Sequence, residues 1–144
     1  MELLTSAFVK TNEEYVTAGQ DHYIRIWKDK PQKSLISELK GHSNDVTSIA
    51  ISYDSKFMVS GSRDNTIRLW NYSQRTCVDT LFSQHTGTVT AVAFHPSNYT
   101  FVSASADGMI KLWKIDSDTC RYIGSIPFDE SKTRSLKVPS ATSP

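Results

Sequence analysis

The chain has 144 residues, of which 38% are hydrophobic and 22% are charged, and its formal net charge is +1 at pH 7. Since 16 Lys and Arg balance 15 Asp and Glu, the net charge is too small to attract the chain electrostatically to nucleic acid or to an anionic membrane. Its apolar runs are far shorter than the ~20 residues that cross a bilayer. The segment MELLTSAFVK lacks the basic part followed by an apolar part that is typical of a signal peptide. We therefore expect an intracellular protein, cytoplasmic or nuclear, that binds neither nucleic acid nor membrane.

Three tryptophans, Trp27, Trp70 and Trp113, recur at a constant spacing of 43 residues. An aspartate lies six positions before each of them, at Asp21, Asp64 and Asp107. Aligned on these residues, the chain reads TAGQDHYIRIW, SGSRDNTIRLW and SASADGMIKLW. A period of ~40–45 residues is typical of a tandem array in which each repeat is one four-stranded unit. The function should therefore depend on a surface built by repeats and not on a single catalytic motif.

Between one tryptophan and the next, the apolar pattern has a period of two, which predicts strands, and no segment has the pattern of a helix. Polar turns separate the strands, at 53–56 and 64–65 in the second repeat and at 95–98 and 107–108 in the third. The predicted strands cover 46–52, 57–62, 66–70 and 77–82 in the second repeat, then 89–94, 101–105, 109–113 and 120–126 in the third.

The first and third strands of a repeat differ in pattern. The first strand is apolar on both faces, with small Ala50 and Ala93 at equivalent places, which predicts a strand covered on both sides. The third strand alternates, so that Ile67 points to one face and Arg68 and Trp70 to the other.

With these residues in place, the chain resembles the WD-repeat β-propeller family over residues 1–126. The tryptophans are followed by Lys28, Asn71 and Lys114, where the family's namesake dipeptide has an aspartate. The resemblance implies an all-β fold of four-stranded antiparallel blades, about three of them, forming an open arc or part of a larger propeller. Counting in steps of 43 residues places the first blade, which lacks its Gly-His start, at 1–40, the second at 41–83 and the third at 84–127. The segment 128–144 is polar and rich in Ser, Thr, Lys and Pro, which predicts a disordered tail or linker.

In this family a His, a Ser or Thr, an Asp and a Trp form a hydrogen-bonded structural tetrad inside each blade. Ser60 is preferred over Ser62 because its equivalents Thr17 and Ser103 also carry hydroxyls, whereas Gly19, the equivalent of Ser62, does not. The indole can donate to the hydroxyl, the hydroxyl to the imidazole, and the imidazole to the carboxylate. The resemblance implies the sets His42, Ser60, Asp64 and Trp70; His85, Ser103, Asp107 and Trp113; and, without a histidine, Thr17, Asp21 and Trp27.

Ser, His and Asp in this order also describe a hydrolase triad. A nucleophile would occur once, however, whereas this set recurs with the structural period, and neither serine lies in a G-x-S-x-G elbow. Cys77 and Cys120 are again 43 residues apart and are expected to be small strand residues, with a disulfide or a metal pair as the alternative. His22 and His95 lie in turns without matching ligands, which disfavours zinc. We therefore predict no enzyme activity, no cofactor and no metal.

The predicted function is a non-enzymatic scaffold for protein–protein interaction within a multiprotein complex. Loops on a rigid scaffold carry recognition, and the resemblance implies that ligands meet the loops that precede the conserved aspartates. Arg63 favours an acidic or phosphorylated peptide, or else is an ordinary solvated residue. The candidate partner-binding residues are Gln20, Arg63, Ala106 and Asn44, with Thr86 and Gly87 on the same side.

Two questions stay open at this point. A substrate-recognition or accessory subunit of an enzyme complex, such as a ubiquitin ligase, is the alternative function. Propellers close with ~4–8 blades, so three blades predict a fragment, an isoform or a self-completing oligomer. The expected partners are other proteins, including the rest of the propeller or further copies of the chain.

Overall fold

The structure is a computed structural model that describes residues 2–9, 13–28, 33–81, 85–117 and 119–127. Within these residues twelve strands form three four-stranded sheets. The first sheet contains β1 (Leu3–Val9), β2 (Glu14–Gly19), β3 (Ile24–Lys28) and β4 (Ser34–Leu39). The second contains β5 (Val46–Ile51), β6 (Phe57–Ser62), β7 (Ile67–Asn71) and β8 (Thr76–Leu81), and the third contains β9 (Val89–Phe94), β10 (Thr100–Ser105), β11 (Met109–Asp116) and β12 (Thr119–Pro127).

Each sheet is an antiparallel meander in which the strands follow chain order. We call these sheets blade 1, blade 2 and blade 3. The innermost strands β1, β5 and β9 contact one another in sequence, so the blades stand side by side in an open, unclosed arc. The predicted all-β class and the four-stranded antiparallel blades are therefore confirmed. The described residues include no helix that could cross a membrane, and the predicted tail at 128–144 lies outside them.

The 43-residue period is visible in the backbone as well as in the side chains. The turn between the second and third strands of each blade places His22, Asn65 and Gly108 at positive φ, at 71°, 70° and 84°. Glycine adopts this left-handed conformation freely, and Asn and His are the side-chain residues that tolerate it best. The register shifts just before each repeat tryptophan, where the third strand pairs with the fourth. The backbone at these turns and register shifts is therefore equivalent in all three blades.

The apolar core lies between the sheets, in two separate clusters. The first cluster joins blades 1 and 2 and the second joins blades 2 and 3. Ile67 and Leu69 of β7 belong to the second cluster, while Trp70 of the same strand belongs to the first. The two faces of β7, which the alternation of its side chains predicted, therefore both lie in buried interfaces between blades, and neither is simply the solvent face.

Within the described ranges, coverage on both faces of the first strand is found only in the middle blade. Ile51 of β5 packs against the first cluster and Ala50 against the second. In β9, Ala93 is exposed although Val92 is buried, since no further blade follows blade 3 among the residues that the structure describes. The strand bounds also differ slightly from the prediction, since β7 begins at Ile67 and leaves Thr66 in the preceding turn.

Candidate functional site

The repeat residues of blade 2 form a continuous chain of hydrogen bonds. Trp70 Nε1 donates to Ser60 Oγ at 2.9 Å, and Ser60 Oγ lies 2.6 Å from His42 Nε2. His42 Nδ1 lies 2.9 Å from Asp64 Oδ2. If Nδ1 carries the proton, each donor in the chain has one acceptor: indole to hydroxyl, hydroxyl to Nε2, and Nδ1–H to carboxylate. Every polar group that the network buries is therefore satisfied.

Blade 3 repeats this network with nearly the same distances. Trp113 Nε1 donates to Ser103 Oγ at 2.9 Å, and Ser103 Oγ lies 2.8 Å from His85 Nε2. His85 Nδ1 lies 2.8 Å from Asp107 Oδ2. The structure thus brings together all eight residues that were assigned to the two complete sets.

Blade 1 contains only part of the arrangement. Trp27 Nε1 donates to Thr17 Oγ1 at 2.9 Å, as in the other two blades. Asp21 instead receives a 2.5 Å contact from Arg25 Nη1 and a 3.3 Å hydrogen bond from the backbone N–H of Tyr23. Arg25 is also bonded to Glu38 at 2.7 Å. The aspartate of blade 1 therefore belongs to a surface ion-pair group and not to a buried chain.

The aspartates also organise the turns around them. Asp64 accepts the backbone N–H of Ser43 at 3.0 Å and that of Thr66 at 2.8 Å. Burial opposes ionisation of Asp64, but the hydrogen bonds from His42 and Thr66 outweigh it and hold the pKa of this carboxyl far below its usual value. For Asp107, burial again opposes ionisation, and the bonds from His85 and from the amides of Met109 and Thr86 lower the pKa. Both carboxylates are therefore ionised acceptors at neutral pH.

The geometry does not suit nucleophilic catalysis by either serine. Ser60 and Ser103 are both 0% exposed, so a substrate could not reach their hydroxyls. Each hydroxyl also accepts an indole N–H, which occupies one of its two lone pairs. The Ser, His and Asp side chains thus form hydrogen bonds to one another inside the blade.

The candidate partner-binding residues lie together on one side of the arc, which we call the rim: Gln20, Asn44, Arg63 and Ala106. All four are exposed. The backbone N–H groups of Gln20, Arg63 and Ala106 donate to equivalent carbonyls, of Glu2 at 3.1 Å, Asp45 at 2.9 Å and Thr88 at 2.9 Å. The rim turns are therefore held by repeated backbone bonds while their side chains face outward.

Charges on the rim are partly balanced. Arg63, whose side chain is 54% exposed, lies 3.6 Å from Asp45, and His22 lies 3.7 Å from the same carboxylate. His22 comes from blade 1 and Asp45 from blade 2, so the group spans the junction between the blades.

Sequence reasoning missed a second buried polar group at the junction of blades 1 and 2. Tyr72 Oη donates to Glu14 at 2.6 Å, and Arg75 binds both oxygens of the same carboxylate at 3.3 and 3.2 Å. The Arg75 guanidinium also lies 4.5 Å from the centre of the Tyr72 ring. These residues do not recur in the other repeats, so the 43-residue comparison could not reveal them.

The cysteines and the remaining histidines form no further site among the described residues. Cys77 and Cys120 are free thiols, and burial together with the Asp79 carboxylate raises the pKa of Cys120 to about 12. In the described part of the chain, no three His, Cys, Asp or Glu side chains come together in a group that could hold a metal ion.

The chain is similar to known proteins both in sequence and in structure. The family model described as "WD domain, G-beta repeat" matches residues 33–71 and 75–114, and none of the curated proteins matches the sequence. The structure titled "Structure of U3-55K" is 22% identical, with a TM-score of 0.82 over 90% of this chain and 40% of that one. The structure titled "Crystal structure of RRP9 WD40 repeats" is 23% identical, with a TM-score of 0.79 over 88% of this chain and 38% of that one. The chain thus spans about two fifths of the length of these two structures.

Proposed function

Since the chain belongs to the WD domain, G-beta repeat family, we propose that it is a non-enzymatic scaffold that binds other proteins through its rim, inside the cell in the cytoplasm or nucleus. Propellers of this family typically serve protein interaction. The observation that supports the proposal most directly is the set of three equivalent backbone bonds that hold the rim turns. A surface with a fixed backbone loses little conformational entropy when a partner binds.

The chemistry of the rim favours a partner segment with an acidic or phosphorylated side chain. Arg63 is a half-exposed guanidinium, and its planar set of donors can bind a carboxylate or a phosphate with two hydrogen bonds. Asp45 holds it only loosely, at 3.6 Å, so an incoming anion could displace that contact. Asn44 and Gln20 supply neutral amides on the same side.

In this proposal the tetrads of blades 2 and 3 have a structural role. Each links the loop that begins a blade to the turn before its third strand, and both of these segments border the rim. The His42–Asp64 bond, for example, connects residues 22 positions apart. The network thereby fixes the relative positions of Asn44 and Arg63, which flank it in sequence.

The test is an affinity capture with the immobilised chain and two matched variants, followed by quantitative mass spectrometry. Arg63→Glu reverses the rim charge, whereas Arg121→Glu reverses a 64% exposed arginine on β12 that pairs with Asp116. We expect Arg63→Glu to capture at least ten-fold less of each specific partner than the wild type, and Arg121→Glu to capture the same amount as the wild type. Equal retention by both variants would refute binding at the rim. Recovery of an enzyme complex, for example a ubiquitin ligase, would instead favour the accessory-subunit alternative.

A further inference from the structure

The position of Arg68 recurs in all three blades and carries a basic residue each time. Its equivalents, 43 residues away in either direction, are Arg25 and Lys111. All three side chains are partly buried. Each basic residue lies on the third strand of its blade and pairs with a residue of the fourth strand, which is Glu38, Thr80 or Ser125 in chain order. The surroundings of the three side chains can therefore be compared directly.

In blades 1 and 3 the basic side chain has a partner for its charge. Arg25 Nε donates to Glu38 Oε2 at 2.7 Å, and Arg25 Nη1 lies 2.5 Å from Asp21 Oδ2. Lys111 Nζ lies 5.1 Å from the centre of the Tyr122 ring, within the range of a cation–π contact. An arginine at this place in a blade thus binds carboxylates where the neighbouring residues supply them.

In blade 2, neither corresponding residue gives Arg68 a carboxylate. The residue that pairs with Arg68 is Thr80 instead of a glutamate. The carboxylate of Asp64, the equivalent of Asp21, accepts hydrogen bonds from the tetrad histidine, from Thr66 and from a backbone amide. None of the ion pairs between described residues includes Arg68. This guanidinium is therefore the one of the three basic groups for which the described residues provide neither an anion nor a ring.

The guanidinium of Arg68 is nevertheless closely packed. Nη1 donates to Cys77 Sγ at 3.6 Å, and a thiol is only a weak acceptor. Gly41 lies so near that a Cβ there would be 2.9 Å from Nη1 and 3.0 Å from Cζ and Nε. Within the described part of the chain, Nε is buried and has no hydrogen-bond partner. A buried N–H without an acceptor is unfavourable, and the equivalent N–H of Arg25 is satisfied by a carboxylate.

The surface beside this guanidinium is accessible to a ligand. Cys77 is exposed and Thr80 is partly exposed, and the sulfur and the hydroxyl lie 3.7 Å apart on β8. Thr80 has a shorter side chain than Glu38, its counterpart in blade 1, and its hydroxyl can donate a further hydrogen bond to an anion. Blade 2 has a described blade on each side, so the site does not depend on what lies beyond the described residues.

We propose that Arg68, with Thr80 and Cys77 beside it, binds a carboxylate of a protein partner, from an aspartate or glutamate in an acidic segment. The planar donors of a guanidinium can bind a carboxylate with two parallel hydrogen bonds. The bound group takes the place in blade 2 that the Glu38 carboxylate has in blade 1. This site lies on the third and fourth strands of blade 2, and it does not require ligand binding by Arg63 at the rim.

Cys77 gives a direct readout of the site, because its sulfur contacts the guanidinium. The full chain is treated with iodoacetamide, a neutral alkylating reagent, and the modified fractions of Cys77 and Cys120 are followed by peptide mass spectrometry. Separate samples contain the acidic peptide Gly-Glu-Gly-Glu-Gly, the neutral peptide Gly-Gln-Gly-Gln-Gly, or inorganic phosphate. We expect the acidic peptide to slow the alkylation of Cys77 about three-fold, because a carboxylate bound to Arg68 covers the sulfur.

Cys120 is the internal reference in every sample. It has the same repeat position as Cys77, but burial and the Asp79 carboxylate raise its pKa to about 12. The Cys120 thiol should therefore react slowly, and at the same rate whichever probe is present.

Two substitutions at Arg68 and one elsewhere assign the effect. Arg68→Gln should abolish the protection, and Arg68→Lys, which keeps the charge without the planar donors, should retain part of it. The fold accepts lysine at this position, since Lys111 occupies it in blade 3. Arg121→Gln removes a 64% exposed arginine paired with Asp116 and should leave the protection unchanged. Each variant is compared with itself, with and without peptide, and circular dichroism checks that it folds.

Three results would overturn the proposal. One is an equal rate of Cys77 alkylation with the acidic and the neutral peptide. Another is protection by the acidic peptide that persists in Arg68→Gln. The third is protection by phosphate but not by the acidic peptide, which would indicate a phosphate site instead. None of these results concerns partner capture through Arg63, so the rim proposal is tested separately.

Discussion

Blades 1 and 2 share the same strand order, the same turn conformation and the same indole-to-hydroxyl bond of 2.9 Å, yet their aspartates have different surroundings. Asp64 lies in a chain that runs through His42 to the buried Ser60. Asp21 is paired with Arg25 at the surface. Within the described residues, blade 1 thus has the bond from the tryptophan to the hydroxyl alone, whereas blade 2 also links the hydroxyl to its aspartate through a histidine.

The largest effect in this comparison should come from Asp64→Ala. The substitution leaves the His42 N–H and the amides of Ser43 and Thr66 without their charged acceptor. Hydrogen bonds to charged groups contribute about 1.5–3 kcal/mol, and an orphaned buried donor costs about 1–3, so we expect a loss of about 2–3 kcal/mol in the free energy of unfolding. Urea titration measures the loss. An unchanged midpoint together with lost partner binding would show that the tetrad is a functional site instead.

Acid should weaken blade 2 through the same carboxylate. Burial disfavours the charged form of Asp64, but its hydrogen bonds outweigh this effect and hold its pKa in the folded protein below the ordinary value of 3.8. A carboxyl whose pKa is lower in the folded protein than in the unfolded chain stabilises the fold at every pH above its unfolded pKa. This stabilisation is lost as the pH falls through the folded pKa. The free energy of unfolding should therefore decline below about pH 4, and less steeply in Asp64→Ala than in the wild type. Parallel declines in the two proteins would show that the acid sensitivity lies elsewhere.

Asp21→Ala should cost less than Asp64→Ala. The ion pair with Arg25 is partly exposed, with side chains 25% and 21% accessible, and exposed pairs contribute about 0–1 kcal/mol. We expect a loss of about 1 kcal/mol or less in the free energy of unfolding. The same urea titration compares the two variants directly, and equal losses would mean that the histidine link adds nothing to blade 2.

Arg63→Ala should have the smallest effect on stability, although Arg63 directly precedes Asp64. Its side chain is 54% exposed and its partner Asp45 is 3.6 Å away, so the change should be within about 0.5 kcal/mol. Thermal unfolding monitored by tryptophan fluorescence checks this. A larger loss would show that the rim arginine contributes to the fold, and the binding assay would then need a gentler substitution such as Arg63→Gln.

The period made much of the fold predictable. Because each repeat builds the same unit, the spacing of Trp70 and Trp113 predicted equivalent strands, and β6 and β9 begin and end where the pattern placed them. The choice of Ser60 over Ser62 came from the hydroxyls at equivalent positions, and the structure gives the two residues different partners. Ser60 bonds to the indole and the imidazole, whereas Ser62 bonds to the Asn44 carbonyl and the Asp64 amide.

The sequence by itself determined what is local and repeated: strand periodicity, turn residues such as Asn65 and Gly108, and which side chains share a repeat position. Only the tertiary structure decided what is particular to one junction. Glu14, Tyr72 and Arg75 converge although Glu14 and Tyr72 are 58 residues apart, and Leu3 and Ile126 are exposed although their equivalents are buried. The physical reason is that burial depends on which blade stands opposite, and this is set by packing between sheets and not by the alternation along any one strand.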